Sequence, residues 1–335
     1  MIKTLFASLF CLLIFIKAQA QKTLGYHVTK TFQISSAGGW DYIKVNGNKL
    51  YVSHATQVNI LDKNTGDSLG VIPNTTGVHG IAFVPSLNKG YTSNGRLNNV
   101  TVFDLKTNQV LGQISTGENP DAIMYDPYSK KIITCNGRSN DLSVIDPVAG
   151  KVVSTVAVGG KPEEAVSDGA GKLFVNIEDK SEIAEVDAKT FKVESHWPLS
   201  PAEGPTGLAI DTRTHRLFAG CDKMLAVLDA ANGKLVAKIP IGDGCDGTVF
   251  DPSTKNVYTS NGEGTMTVIH ENTANDFTVA ENVKTKPRAR TIALDESTHK
   301  LYLPTAEFEP LPANAAKNER PKMVAGTFQV LMVAK

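Results

Sequence analysis

Cysteine is scarce in this chain. Four occur in 335 residues, and one of them, Cys11, lies in an apolar N-terminal run, leaving Cys135, Cys221 and Cys245 for the remainder. So few, and an odd number, exclude a disulfide-stapled scaffold. One bridge between Cys221 and Cys245 remains open, against two buried thiols that act as small apolar side chains. An excess of either charge is also missing: 34 Lys and Arg stand against 34 Asp and Glu. No global basic field is present to gather nucleic acid, and no basic arm to lie on a membrane surface. Past the N-terminus, no apolar run approaches the roughly 20 residues a membrane-spanning helix needs. Gly-x-Ser-x-Gly elbows, phosphate-cradling glycine loops and Cys-x-x-Cys-His haem sites are lacking, which removes the commonest motif-borne chemistries.

The first twenty residues stand apart. Lys3 supplies a positive start, Leu5 to Ile16 are apolar except for Ser8, and Ala18-Gln19-Ala20 offers the small-x-small site of a signal peptidase. Residues 1–20 therefore read as a signal peptide cleaved before Gln21, with export to the periplasm or the medium. A lipoprotein reading of Cys11 is opposed by bulky Phe10 beside it.

What the chain does have is repetition. Val58-Asn59-Ile60-Leu61-Asp62 returns as Val100 to Asp104, Leu142 to Asp146, Ile183 to Asp187, Leu225 to Asp229 and Met266 to His270. The closing positions 62, 104, 146, 187, 229 and 270 are 41 or 42 residues apart. A seventh copy, Phe328 to Met332, follows an interruption over 306–327. Each copy is preceded by an opening segment (Trp40-Asp41-Tyr42-Ile43, Val78-His79-Gly80-Ile81 and onward to Ala289-Arg290-Thr291-Ile292) and by a β-branched and aromatic strand such as Leu50-Tyr51-Val52-Ser53. Turn sequences such as Asp126-Pro127-Tyr128-Ser129 and hairpin pairs such as Asn232-Gly233 separate them. Short strands repeating every 42 or so residues define propeller blades. The reading is an all-β, seven-bladed β-propeller with four antiparallel strands per blade, one domain over 21–335. The last blade lacks an outer strand at the C-terminus, so Thr29 to Ile34 is expected to supply it and close the ring.

The second and third strands also carry a family likeness. Leu50-Tyr51-Val52-Ser53-His54 and Val257-Tyr258-Thr259-Ser260-Asn261, each followed by an apolar strand and a hairpin turn, resemble the YVTN repeat of YncE-like seven-bladed propellers. The likeness spans nearly all of the mature chain. It implies the fold strongly and the activity weakly, because related propellers serve as binding proteins, surface proteins and, with added catalytic groups, enzymes. It also keeps single-stranded nucleic acid among the ligand classes.

In such a fold the blade openings and the loops between second and third strands share one face around the axial channel. The openings contribute Asp41, His79, Asp121, Glu163, Thr206, Asp246 and Arg290, and the positions after the second strand His54, Asn94, Asn136, Ile177, Cys221, Asn261 and Thr305. Arg96, Arg138 and Glu263 follow close behind. The expected ligand-lining set is Asp41, His54, His79, Asn94, Arg96, Asp121, Asn136, Arg138, Glu163, Asp246 and Arg290, since convergent polar groups at a channel mouth suit a small molecule. The alternative is a water-filled mouth lined with turn-forming residues. No catalytic or metal-ligating set is assigned and no cofactor is named. The four carboxylates suit a hard cation but come from blades one, three, four and six, spaced too widely for one ion to reach all of them.

The expected function is an exported, monomeric, non-catalytic propeller that binds a ligand or protein partner at the channel mouth. Two alternatives stay open. A hydrolase, lyase or lactonase would use His79 with Glu163 or Asp246 as acid and base. A binder of single strands would use Arg96, Arg138, Arg288 and Arg290, with Trp40 stacking a base. The 306–327 loop, on the same face, is expected to be a lid, a partner site or a surface excursion.

Overall fold

The structure is a computed structural model, and it describes residues 24–35, 38–312 and 321–335. The segment expected to be a signal peptide, with Cys11, and the middle of the 306–327 loop lie outside the described residues. Seven four-stranded antiparallel sheets follow one another around a ring. In blade one the order from the axis outward is Trp40–Asn46, Lys49–His54, Gln57–Asp62 and Ser68–Ile72, and the next five blades repeat it. The seventh combines Ala293–Asp295, Lys300–Thr305 and Gln329–Ala334 with His27–Gln33 from the other end of the chain. Among the described residues the only helical turns are Pro85–Leu87 and Glu178–Lys180, both 3₁₀.

Burial explains why the repeats read as they do. The second and third strands are buried along nearly their whole length because both of their faces are covered by the neighbouring blades. Outer strands such as Lys151–Ala157 alternate exposed and half-buried positions, as a strand with one wet face must. Each apolar cluster bridges two blades; one joins Ile133, Cys135 and Val144 of the third to Leu173, Val175 and Val186 of the fourth.

The acid that closes each third strand is a stop signal. Asp62 Oδ1 accepts the backbone N–H groups of Asn64 and Thr65 at 2.8 and 3.0 Å, and Asp104, Asp146 and Asp187 repeat the arrangement. Such a side chain turns the backbone out of the strand. In blade six His270 replaces the acid, and the strand runs on to nine residues, Thr265–Thr273, hairpinned to Asp276–Lys284.

The clasp forms as expected: Phe32 pairs with Val330 and is 4% exposed, within a cluster that includes Ile43 and Val52 of blade one and Tyr302 and Phe328 of blade seven. Replacing Phe32 by Ala should cost about 3–5 kcal/mol, whereas Val153→Ala, on an exposed outer strand, should change stability by no more than about 0.5 kcal/mol. Chemical denaturation of the two variants checks the contrast, and equal losses would deny the clasp its role.

Candidate functional site

The inner strands enter the ring through a shared irregularity. Pairing with the second strand slips between Trp40 and Ile43, Val78 and Ile81, Pro120 and Ile123, Pro162 and Ala165, and Cys245 and Gly247. Each slip is a β-bulge, which turns side chains away from the regular alternation. The residues inside the bulges include Asp41, His79, Asp121, Glu163 and Asp246. Hydroxyls from adjoining blades hold this backbone in place: Thr291 Oγ1 donates to the Asp41 carbonyl at 2.7 Å, Ser260 Oγ to the Arg290 carbonyl at 2.5 Å, and Ser93 Oγ to the Asp121 carbonyl. Thr206 is used in the same way, donating to the Cys245 carbonyl at 2.8 Å.

Three blades meet at His79. Its Nδ1 lies 2.5 Å from Asp41 Oδ2 and 3.7 Å from Asp121 Oδ1. Arg290 pairs with Asp246 and approaches Asp41 Oδ1 at 3.7 Å. Lys161, from the loop before the fourth blade, bridges Glu163 and Glu178. Below this ring the axial channel opens into a cavity of about 430 Å³ whose polar lining includes Tyr42, Lys44, Glu164 and Asp246.

Burial, with the crowding of acids second to it, shifts the protonation equilibria. Burial, followed by the charge of Asp121, lifts Glu163 to about 8, with Lys161 opposing. Burial also lifts Asp121 to about 6 despite the cationic His79 beside it. Glu164 moves in the same direction for the same first cause. For His79, burial alone would lower the value, but the hydrogen bond to Asp41 and the charges of Asp121 and Asp41 outweigh it and raise it to about 9. These shifts favour a protonated imidazole on His79 and hold Glu163 closer to its protonated form than an ordinary glutamate.

The predicted lining divides in two. Asp41, His79, Asp121, Glu163, Asp246 and Arg290 are brought together. His54, Asn94 and Asn136 are not at the mouth: they are 1%, 0% and 0% exposed, inside the blades. Asn94 Nδ2 donates to Asn99 and Thr101, Asn136 Nδ2 to Asp141 and Ser143, and Asn261 repeats the clamp on Thr265 and Thr267. His54 stacks on Phe328 with ring centres 4.0 Å apart and bonds the Gly38 carbonyl at 2.8 Å through Nε2. These side chains fasten the second strand to the third and to the clasp. Arg96 and Arg138 are exposed on the rim. Trp40, expected to be free for stacking, is half-buried against Phe328 at 5.2 Å. Cys135, Cys221 and Cys245 are free and buried, and no bridge joins the last two. Sequence reasoning passed over Glu164, Tyr42 and Lys161. The doublet Glu163-Glu164 at a bulge, where both side chains can leave the strand face, was the available signal.

Asp41, His79 and Asp121 each bring one ligand atom within 4.8 Å of the others. Acids of blades one and three thus approach one point, although all four carboxylates do not. The proton on His79 Nδ1 stands between them, so a metal ion has to displace it.

This fold defines a seven-bladed β-propeller, and comparison with solved structures agrees. A chain of Kuenenia stuttgartiensis hydrazine synthase superposes with a TM-score of 0.71 at 16% identity, covering 81% of this chain and 94% of that one. A chain in a crystal structure of the mitotic checkpoint complex superposes with a TM-score of 0.74 at 11% identity, covering 99% of each. Such identities carry the fold and nothing finer. No family model and no curated protein sequence matches the chain.

The raised groups make stability depend on pH with a definite sign. His79 binds its proton more tightly folded, near 9, than unfolded, near 6.5, so its contribution is complete below pH 6.5 and is lost as pH rises through 9. Glu163 acts in the same sense, its contribution fading from about 4.5 to about 8. Unfolding free energy should therefore fall from about pH 5 to 9, less steeply in His79→Gln, and the His79 imidazole NMR signal should titrate near 9. A midpoint near 6.5 would contradict the geometry.

Proposed function

We propose that this chain is an exported propeller of the YVTN-repeat kind that binds a small organic ligand carrying a protonated amine or guanidinium at its channel mouth, without chemistry. The convergence of Asp41, Asp121, Glu163 and Asp246 on one opening carries the reading. Carboxyl groups held above their ordinary range mark a place where added positive charge is favoured, and the proton is only the smallest such charge. A cationic ligand would ionise Glu163, release its proton and satisfy two or more carboxylates at once. Export rests on residues 1–20, and the family relation on the strand motifs already described.

A catalytic reading has one observation in its favour: His79 and Glu163, shifted near 9 and 8, lie in one concave site, as acid and base pairs do. Single-stranded nucleic acid is less well served, because the mouth is acidic and the Trp40 ring is already engaged by Phe328.

A thermal-shift panel of small amines, neutral polyols and carboxylates tests the proposal. Amines alone should stabilise the protein, more strongly at pH 8 than at pH 5, and Asp121→Asn or Glu163→Gln should weaken binding tenfold or more. Preference for carboxylates or for oligonucleotides would overturn it, and turnover abolished by His79→Ala would move the protein to the enzyme class.

A further inference from the structure

In blades one, two, five and six the residue that follows the closing position of the repeat (62, 104, 229, 270) donates its N–H to the turn between the blade's first two strands: Lys63 to Asn48 O at 3.0 Å, Leu105 to Asn88 O at 3.1 Å, Ala230 to His215 O at 2.9 Å and Glu271 to Lys255 O at 2.9 Å. Where the ring closes, that residue reaches the preceding blade. Lys63 Nζ sits 2.7 Å from Asp295 Oδ2, with the two side chains 10% and 5% exposed, and Thr298 Oγ1 donates to the same oxygen at 2.6 Å. The junction of blades five and six has the same turn, Asp211-Thr212-Arg213-Thr214-His215 against Asp295-Glu296-Ser297-Thr298-His299, with His215 and His299 both left-handed. Yet the position of Lys63 is taken by Glu271.

An acid therefore faces an acid where the closing junction has an ion pair. Glu271 and Asp211 are 1% and 2% exposed. Both carboxylate oxygens of Glu271, Asp211 Oδ2 and Thr214 Oγ1 are buried without a well-formed hydrogen bond, and what lies within reach of them belongs to the cluster itself. The two carboxyl groups lie beside one another with Thr214 next to both. Arg213 serves only the other oxygen of Asp211, at 3.4 Å through Nε, and its own side chain is 54% exposed. Buried carboxylates lacking partners are costly and call for a counter-charge.

We propose that a divalent hard cation of the calcium class binds between blades five and six, held by the carboxylates of Asp211 and Glu271 and the hydroxyl of Thr214. Two carboxylates balance its charge, and an all-oxygen donor set favours calcium over zinc, which seeks imidazole or thiolate. The ion would do for this junction what the Lys63 ammonium does for the closing one. The site lies away from the mouth, so it neither depends on the ligand-binding reading nor competes with it.

The test is calcium titration of the full chain after dialysis against a chelator, read by calorimetry and by thermal unfolding. Wild type should bind calcium at this junction and melt about 5 °C higher at a hundredfold excess over Kd. Glu271→Gln should lose at least tenfold in affinity, whereas His79→Gln at the mouth should keep it. Glu271→Lys, which rebuilds the pairing of the closing junction, should be stable in chelator and indifferent to calcium, and it carries the test if Glu271→Gln does not fold. Calcium binding unchanged in Glu271→Gln, or a wild-type protein equally stable with and without calcium, would overturn the proposal and leave a proton shared between two carboxyls.

Discussion

Closure of the ring is the constraint on which everything else rests. The second and third strands of each blade are buried on both faces and stay dry only with a neighbour on each side, so an open array would expose two such faces and a bare strand edge. The chain meets this by returning the strand His27–Gln33 to its last sheet, where Phe32, Ile43 and Phe328 share one cluster. Only a closed ring points the inner strands at a common axis. Side chains separated by 38 residues or more in sequence, such as Asp41 and His79, come within 2.5 Å as a result.

Closure also fixes where strain and charge accumulate. Bulges at five of the blade openings turn polar side chains inward, and hydroxyls from the preceding blade hold the bulged backbone at three of them. The mouth consequently gathers Asp41, Asp121, Glu163 and Asp246 around the basic side chains of His79, Lys161 and Arg290. Far from it, the junctions between blades carry their own electrostatics: one is sealed by Lys63 and Asp295, and another sets Glu271 against Asp211.

Most of the architecture was legible in the sequence, because strand period, turn chemistry and the 42-residue spacing all express local rules. Blade number, strand count and the clasp followed from them. The site was half legible. Position in the repeat identified Asp41, His79, Asp121, Glu163, Asp246 and Arg290, since the openings must face the axis. It misled for His54, Asn94 and Asn136, because a polar residue ending a strand looks alike whether it faces a channel or clamps the next strand. Their Thr-x-Asn context, Thr92 with Asn94 and Thr134 with Asn136, carried the answer. The bridge from Lys161 to Glu178, and the acid pair of Glu271 with Asp211, depend on contacts between distant segments that no linear pattern displays.

The central claim is that the mouth gathers a positively charged small molecule. Native mass spectrometry of protein purified from its native source, treated with chelator and held at pH 8 or pH 5, tests it most directly. The account predicts the mass of the polypeptide plus an organic adduct at pH 8 that is lost at pH 5, as Glu163 and Asp121 regain their protons. A bare chain at both values, or an adduct that persists in acid, would contradict it.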